Sequence, residues 1–279
     1  MANRKPLVRQ FWNRVPDEER AHVVEVALER SELSPRELAW FITDHEGYFI
    51  SESSVYRILK SFDLVTSPAF RVMSASDRFE NPTTRVNEMW QTDFTQLKVV
   101  GWGWYYLCNV LDDFTRYILA WKLSTTMATT DVQDTLDIAL DWTGVTQVKV
   151  QHRPRLLSDN GPCYVSQALK DYLQDHKIPH IRGAPYHPQT QGKIERYHRS
   201  MKNVVKLQTF YFPWELQQAI ADFVAYYNHH RYHEALDNLT PADVYFGRAE
   251  EILTRREETK LRTLQERRGH NLQLALNSL

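Results

Sequence analysis

Asp93, Asp159 and Glu195 are the residues best suited by type and setting to do chemistry, with 35 residues between the last two. Asp93 sits in Met-Trp-Gln-Thr-Asp-Phe-Thr-Gln-Leu, an alternating run that places Trp90, Thr92 and Phe94 on one strand face and Asp93 on the other. An acid inside a strand is costly unless it is paired, exposed or bound to a metal. Asp159 ends the short apolar run of Arg-Leu-Leu-Ser-Asp-Asn-Gly, at the C-terminal end of a strand, where open α/β sheets carry their sites. Glu195 falls in the first turn of a helix that begins near Gly192, and helical spacing puts His198, Arg199 and Lys202 on its side, with Lys206 one turn further. Between Arg182 and Lys206 six Lys or Arg residues face Glu195 alone. Carboxylates hold hard divalent cations, and a local basic field binds phosphate even on a protein whose net charge is −1. Taken by itself, the helix reads more simply as a surface helix with Glu-to-Arg pairing.

The words around these acids narrow the reading. Trp-Gln-Thr-Asp-Phe-Thr, Leu-Asp-Asp-Phe-Thr-Arg, Ser-Asp-Asn-Gly and Tyr-His-Pro-Gln-Thr-Gln-Gly-Lys-Ile-Glu-Arg resemble, in order and spacing, the retroviral-integrase-type core of bacterial insertion-sequence DDE transposases, especially the insertion-sequence-three family and its relatives. The resemblance covers about residues 85 to 247 and includes Lys202, seven residues after Glu195. It implies catalytic and metal-binding roles for Asp93, Asp159 and Glu195, with Asp93 bridging two Mg²⁺ ions, for which Mn²⁺ substitutes, and the other two acids each completing one site. It assigns the first acid to Asp93 and leaves Asp112 and Asp113 structural. It implies nicking at a 3′ end and strand transfer by transesterification, with no covalent intermediate and no ATP. Tyr186, His187 and Gln191 fall in a segment similar to the integrase loop that meets DNA ends, and Lys193, Arg196, Arg199 and Lys202 are the expected phosphate contacts. The implied partners are double-stranded DNA, as terminal inverted repeats and target, a second copy in a homodimer or higher oligomer, and an upstream reading-frame product.

The expected fold class is α/β: a ribonuclease-H-like mixed five-stranded sheet flanked by helices, preceded by an all-α helix-turn-helix domain. Short connections make the strands starting at Met89, Tyr105 and Tyr117 an antiparallel meander, and helix 128–142 leads to a strand at Arg155–Ser158, a helix from Tyr164 to His176 and a last strand at Ile178–Arg182. Residues 1–65 read as helices around a Gly47 turn, with Ser51 capping a helix over 52–62 that presents Ser54, Arg57 and Ser61 to a DNA groove. Nine basic residues against eleven acidic ones make that module unusually acidic for DNA binding. Residues 66–87 read as a polar linker with Arg71, Arg78 and Arg85 facing phosphates, 88–247 as the catalytic core with its C-terminal helices, and 248–279 as a charged helical tail for a subunit contact or DNA arm.

With 42% hydrophobic and 25% charged residues, no run of about 20 apolar residues and no signal core, the expectation is a soluble bacterial protein of the cytoplasm, associated with the nucleoid when bound to DNA and with no membrane partner. Cys108 and Cys163 are isolated and read as reduced thiols, and no His/Cys spacing calls for a structural zinc. His229 and His233, four apart, read as packing or phosphate-facing residues before metal ligands. Two rival functions share these features: a ribonuclease-H-like nuclease that cuts without joining, and a DNA-binding regulator or inactive fragment for which the acids are dispensable.

Overall fold

In the computed structural model the described residues are 12–65, 83–147, 153–183 and 192–277. Tyr186, His187 and Gln191 lie outside them, as do Arg71 and Arg78. The chain divides into two compact units, residues 74–246 and a helical unit that combines residues 1–73 with 247–279.

The larger unit is built on a five-stranded sheet of order β3-β2-β1-β4-β5. Strands β1 (Met89–Val99), β2 (Gly103–Asp112) and β3 (Ile118–Ser124) form the antiparallel meander, while β4 (Arg155–Ser158) and β5 (His180–Arg182) add in parallel beside β1. This is the mixed, ribonuclease-H-like sheet that the alternation and short turns predict. Helices α4 (Thr129–Thr143), α5 (Pro162–Val165) and α6 (Gln167–Asp175) cover one face, where Val132, Leu136, Leu169 and Leu173 pack with Trp90, Val110 and Leu156. Helices α7 (Gly192–Val205) and α8 (Pro213–His229) cover the other, where Ile194, Tyr197, Met201, Ile220 and Phe223 meet Leu97, Val99, Leu107 and Leu111. The short helix α9 (Pro241–Tyr245) follows. The single helix expected from Tyr164 to His176 is two, because Ser166 takes an extended backbone and caps α6 with its side chain.

Two features fix the ends of these elements. Asp131, near the N-terminus of α4, accepts from the Thr126 hydroxyl and the Ala128 amide at 2.5 and 3.0 Å. Burial pushes its carboxyl up, but the hydrogen bonds from Thr126 and Ala128, with Lys122 alongside, outweigh this and leave it below the usual aspartate value. Asp112 accepts from the Asn87 amide and from the amide and hydroxyl of Thr115 at 2.8–2.9 Å, and burial holds its carboxyl above the usual range. That is a turn-capping role. His229 and His233 share no helical face, since α8 ends at His229; their rings sit edge-on to Tyr117 and Tyr227.

In the helical unit, α1 (Asp17–Glu29), α2 (Pro35–Phe41) and α3 (Glu52–Ser61) enclose Val23, Leu38, Ile42, Ile50, Val55 and Ile58. Helix α2 continues as a π turn over Ile42–Glu46 before Gly47, at φ 64°, reverses the chain. Ser51 caps α3 by accepting from the Ser54 amide. The C-terminal segment is one long helix, α10 (Ala249–Asn277), and it does not extend away as an arm. Its buried stripe Ile252, Arg256, Thr259, Thr263, Arg267 and Asn271 packs within this unit. Arg256 makes a two-pronged ion pair with Asp44 at 2.7 and 2.8 Å and lies over the Trp40 ring. Thr263 accepts from the Phe49 amide, Arg262 donates to the Gly47 carbonyl, Arg267 to the Phe49 carbonyl, and Asn271 to the Trp12 and Arg14 carbonyls.

Candidate active site

The site forms where β1 runs past the end of its short neighbour β4. Register pairs Gln91 with Leu157, so Asp93 lies just beyond the last paired residue, on a stretch of β1 that keeps only β2 as neighbour among the described residues. Gln91 fastens α7 to this strand. Its side-chain carbonyl accepts from the Ile194 amide at 3.1 Å, one of the free donors at the start of α7, and its amide donates to Asp113 at 2.6 Å. Asp113 also accepts from the Thr83 hydroxyl and from Lys193, each within 2.8 Å. This buried set holds the first turn of α7, and so Glu195, at a set place relative to Asp93.

Asp93 is itself held. One oxygen accepts from the Phe94 amide at 2.8 Å, and the other lies 3.4 Å from Nδ1 of the buried His198. The opposite ring nitrogen of His198 meets the Asn109 side chain at 2.9 Å, and Tyr197 donates to Asn109 at 3.4 Å. Asn109 and His198 were not assigned to the site from sequence. His198 follows Glu195 at the right helical spacing, but its inward direction and its polar partner inside an apolar strand have no local signature.

Asp93 and Glu195 line one groove of about 730 Å³ together with Thr95, His198, Arg199, Lys202 and Lys206. Glu195 and Arg199 are exposed. Burial, with Lys206 nearby, lowers the Lys202 ammonium below the usual lysine range, against the opposing pull of Asp93. Asp159 follows β4 and accepts from the Gly161 amide at 2.9 Å in a tight turn; a side-chain carbon at Gly161 would meet its carboxylate at 3.1 Å. It does not line the groove, but both Asp159 and Asp93 act electrostatically on the half-buried Cys163, whose thiol is raised by burial and by their charge.

Among the described residues no three or more His, Cys, Asp or Glu side chains lie together so as to hold a metal ion. Asp93 and Glu195 share the groove, with Asp93 held by Phe94 and His198, while Asp159 is held in its own turn outside the groove's lining. In kind, the groove's donors fit a hard cation: the carboxylates of Asp93 and Glu195 and the buried Thr95 hydroxyl, which has no hydrogen-bond partner among the described residues.

The expected DNA contacts separate into groups. Arg199 and Lys202 lie in the groove with Asp93 and Glu195. Arg196 is exposed and donates to the Gly192 carbonyl. Lys193 turns inward to the carboxylate and carbonyl of Asp113, both at 2.8 Å, in a nearly buried ion pair. In α3, Ser54 is half-buried beside Ser51, and Arg57 is exposed with its guanidinium donating to the Ser53 carbonyl.

Comparison with known proteins gives two family matches, both to the integrase core domain, over residues 83–188 and 176–241. The transposase for insertion sequence element IS629 of Shigella sonnei is 27% identical over 211 residues, which cover 71% of this chain and 69% of that protein. The Gag-Pro-Pol polyprotein of sheep pulmonary adenomatosis virus is 32% identical over 155 residues, 55% of this chain but only 8% of that polyprotein. The chain likewise spans 12% and 7% of the other two foremost retroviral matches. A solved HTLV-2 integrase catalytic core, in complex with magnesium, aligns at 20% identity over 57% of this chain and 97% of that one, with a TM-score of 0.43.

Proposed function

We propose that this chain, which belongs to the integrase-core transposases of bacterial insertion sequences, binds the ends of its element and performs metal-dependent 3′-end nicking and strand transfer. The observation that carries the reading is the shared groove in which Asp93 and Glu195 face Arg199, Lys202 and Lys206. Carboxylates and a phosphate-binding stripe in one cleft suit a phosphodiester substrate and do not suit a neutral one.

Asp93, Asp159 and Glu195 would hold two Mg²⁺ ions, with Mn²⁺ as substitute. Bound there, the ions supply Lewis-acid stabilisation at phosphorus and lower the pKa of an attacking water. The chain's own groups do the positioning. His198 and the Phe94 amide fix the Asp93 carboxylate, Gln91 and Asp113 fix the first turn that carries Glu195, and Arg199, Lys202 and Lys206 hold phosphates along the groove. In nicking, water attacks phosphorus and the 3′ oxygen leaves; in joining, that 3′-hydroxyl attacks a target phosphodiester and displaces another 3′ oxygen. The substrate is double-stranded DNA as terminal inverted repeats and target. Because two ends must be joined in one event, the working form is a homodimer or higher oligomer on DNA, with or without an upstream reading-frame product.

The test is incubation of the purified chain with labelled duplexes from its element's ends in Mg²⁺ or Mn²⁺, beside Glu195→Gln. Nicking and joining by the wild type, lost in the variant, is the expected result. Cutting without joining would make it a nuclease, and end binding without cutting would make it a regulator.

A further inference from the structure

The catalytic groove leads to an unusual sheet face. Beyond the cover of α4, the face of β1 and β2 opposite α7 carries Gln96, Lys98, Trp104 and Tyr106; register sets Lys98 against Trp104 and Gln96 against Tyr106. Trp104 is 49% exposed, and Trp102, held in the turn between Gly101 (φ 80°) and Gly103 (φ 95°), is 59% exposed. The Lys98 ammonium lies 5.9 Å from the centre of the Trp104 ring. Tryptophans and a half-buried tyrosine interleaved with a cation and an amide are what a flat base and its phosphate require: a ring to stack on, a charge beside it and a hydrogen-bonding edge.

Continuity with the groove identifies the occupant. Along α7 the phosphate-binding stripe runs from Arg199 through Lys202 to Lys206, and Lys206 lies about 16 Å along the helix axis from Glu195. Just past that point, the Val100 amide of the β1–β2 turn donates to the Phe210 carbonyl at 2.9 Å, which ties the tryptophan turn to the chain leaving α7. On the strand side, Phe94 lines the groove and Gln96 and Lys98 follow it on the same face of β1, whose edge is free there among the described residues.

We propose that Trp102, Trp104 and Lys98 form a base-stacking platform for DNA leaving the catalytic groove, engaging bases whose faces are open because they are unpaired or stand at a duplex terminus. This rests on the transposase reading above. The two sources of an open base face share one chemistry and are told apart by the substrate.

The full-length protein would be titrated with fluorescent duplexes of one sequence, either blunt or bearing an unpaired extension with 2-aminopurine, and with the extension alone as a single strand. Wild type, Trp102→Ala, Trp104→Ala, Trp104→Phe and Lys98→Gln would be compared, with light scattering on each. Both alanine variants are expected to lose roughly tenfold in affinity for the extended duplex and to lose the 2-aminopurine quenching, while Trp104→Phe keeps most of both. An equal loss on blunt duplex assigns the platform to the terminal base pair; a loss confined to extended and single-stranded probes assigns it to unpaired bases. Affinities and quenching unchanged in the alanine variants would overturn the proposal, as would a change of oligomeric state in place of a change in binding. If the wild type nicks and joins DNA while the tryptophan variants match it on every probe, this inference alone falls; if the wild type binds no DNA, the transposase reading falls first.

Discussion

His198 reaches two groups at once, the Asp93 carboxylate and the Asn109 amide, and so fixes the direction of a carboxylate that would otherwise turn freely on its strand. Removing such an orienting partner costs on the order of ten- to a hundredfold in activity or metal affinity. His198→Ala is therefore expected to lower the rate of nicking by that factor with end binding retained, and titration with Mn²⁺ should show weakened metal affinity. The basic stripe makes a second residue-scale prediction. Because burial and Lys206 place Lys202 below the usual lysine range, its positive charge is lost, as pH rises, earlier than that of an ordinary lysine. DNA affinity should weaken over that alkaline window, and Lys202→Arg, whose charge persists, should hold its affinity there. At neutral pH, Lys202→Ala should reduce the salt slope of binding by about one. The acids and Lys202 were legible because carboxylates at strand ends and cations at helical spacing are local patterns. The inward pairing of Lys193 was not legible, because its partner Asp113 is 80 residues away and nothing nearby in sequence signals it.

At the scale of elements, α7 is seated by Gln91, Asp113 and Lys193 before it presents Glu195. Lys193→Ala leaves the carboxylate of Asp113 buried with its cation removed, a change that typically costs about 3–5 kcal/mol. The expected outcome is a lower unfolding midpoint in urea for the core; a normal midpoint with weakened DNA affinity would return Lys193 to the phosphate contacts. Helix α4 offers a pH-dependent counterpart. Since Asp131 is lowered in the folded state, its stabilisation is present above the ordinary aspartate value of about 3.9 and is lost as pH falls through the folded value. Asp131→Asn should cost about 1 kcal/mol at neutral pH, and the difference from wild type should shrink in acid. The five strands and the main helices were legible because alternation, short turns and caps are written locally. The break at Ser166 and the π turn at Ile42–Glu46 were not, because helical periodicity continues through both.

For the whole molecule, the least legible feature is the helical unit assembled from both ends of the chain. The segment 248–279 reads only as a charged helical tail, yet its Arg256 is buried against Asp44, Thr263 and Arg267 against backbone groups of the turn between α2 and α3, and Asn271 against the Trp12 and Arg14 carbonyls. Arg256→Ala is expected to destabilise this unit by about 3–5 kcal/mol, since it removes a buried two-pronged ion pair with Asp44, while the core's unfolding is unchanged; differential melting followed by limited proteolysis would read both. The same arrangement imposes an order on biosynthesis. A ribosome releases α2 and α3 before the integrase core, but the groups that close around their turn are encoded only after it. The module expected to read DNA ends is thus completed only once the core has emerged, and any product cut short before α10 carries the whole sheet and an unfinished reader.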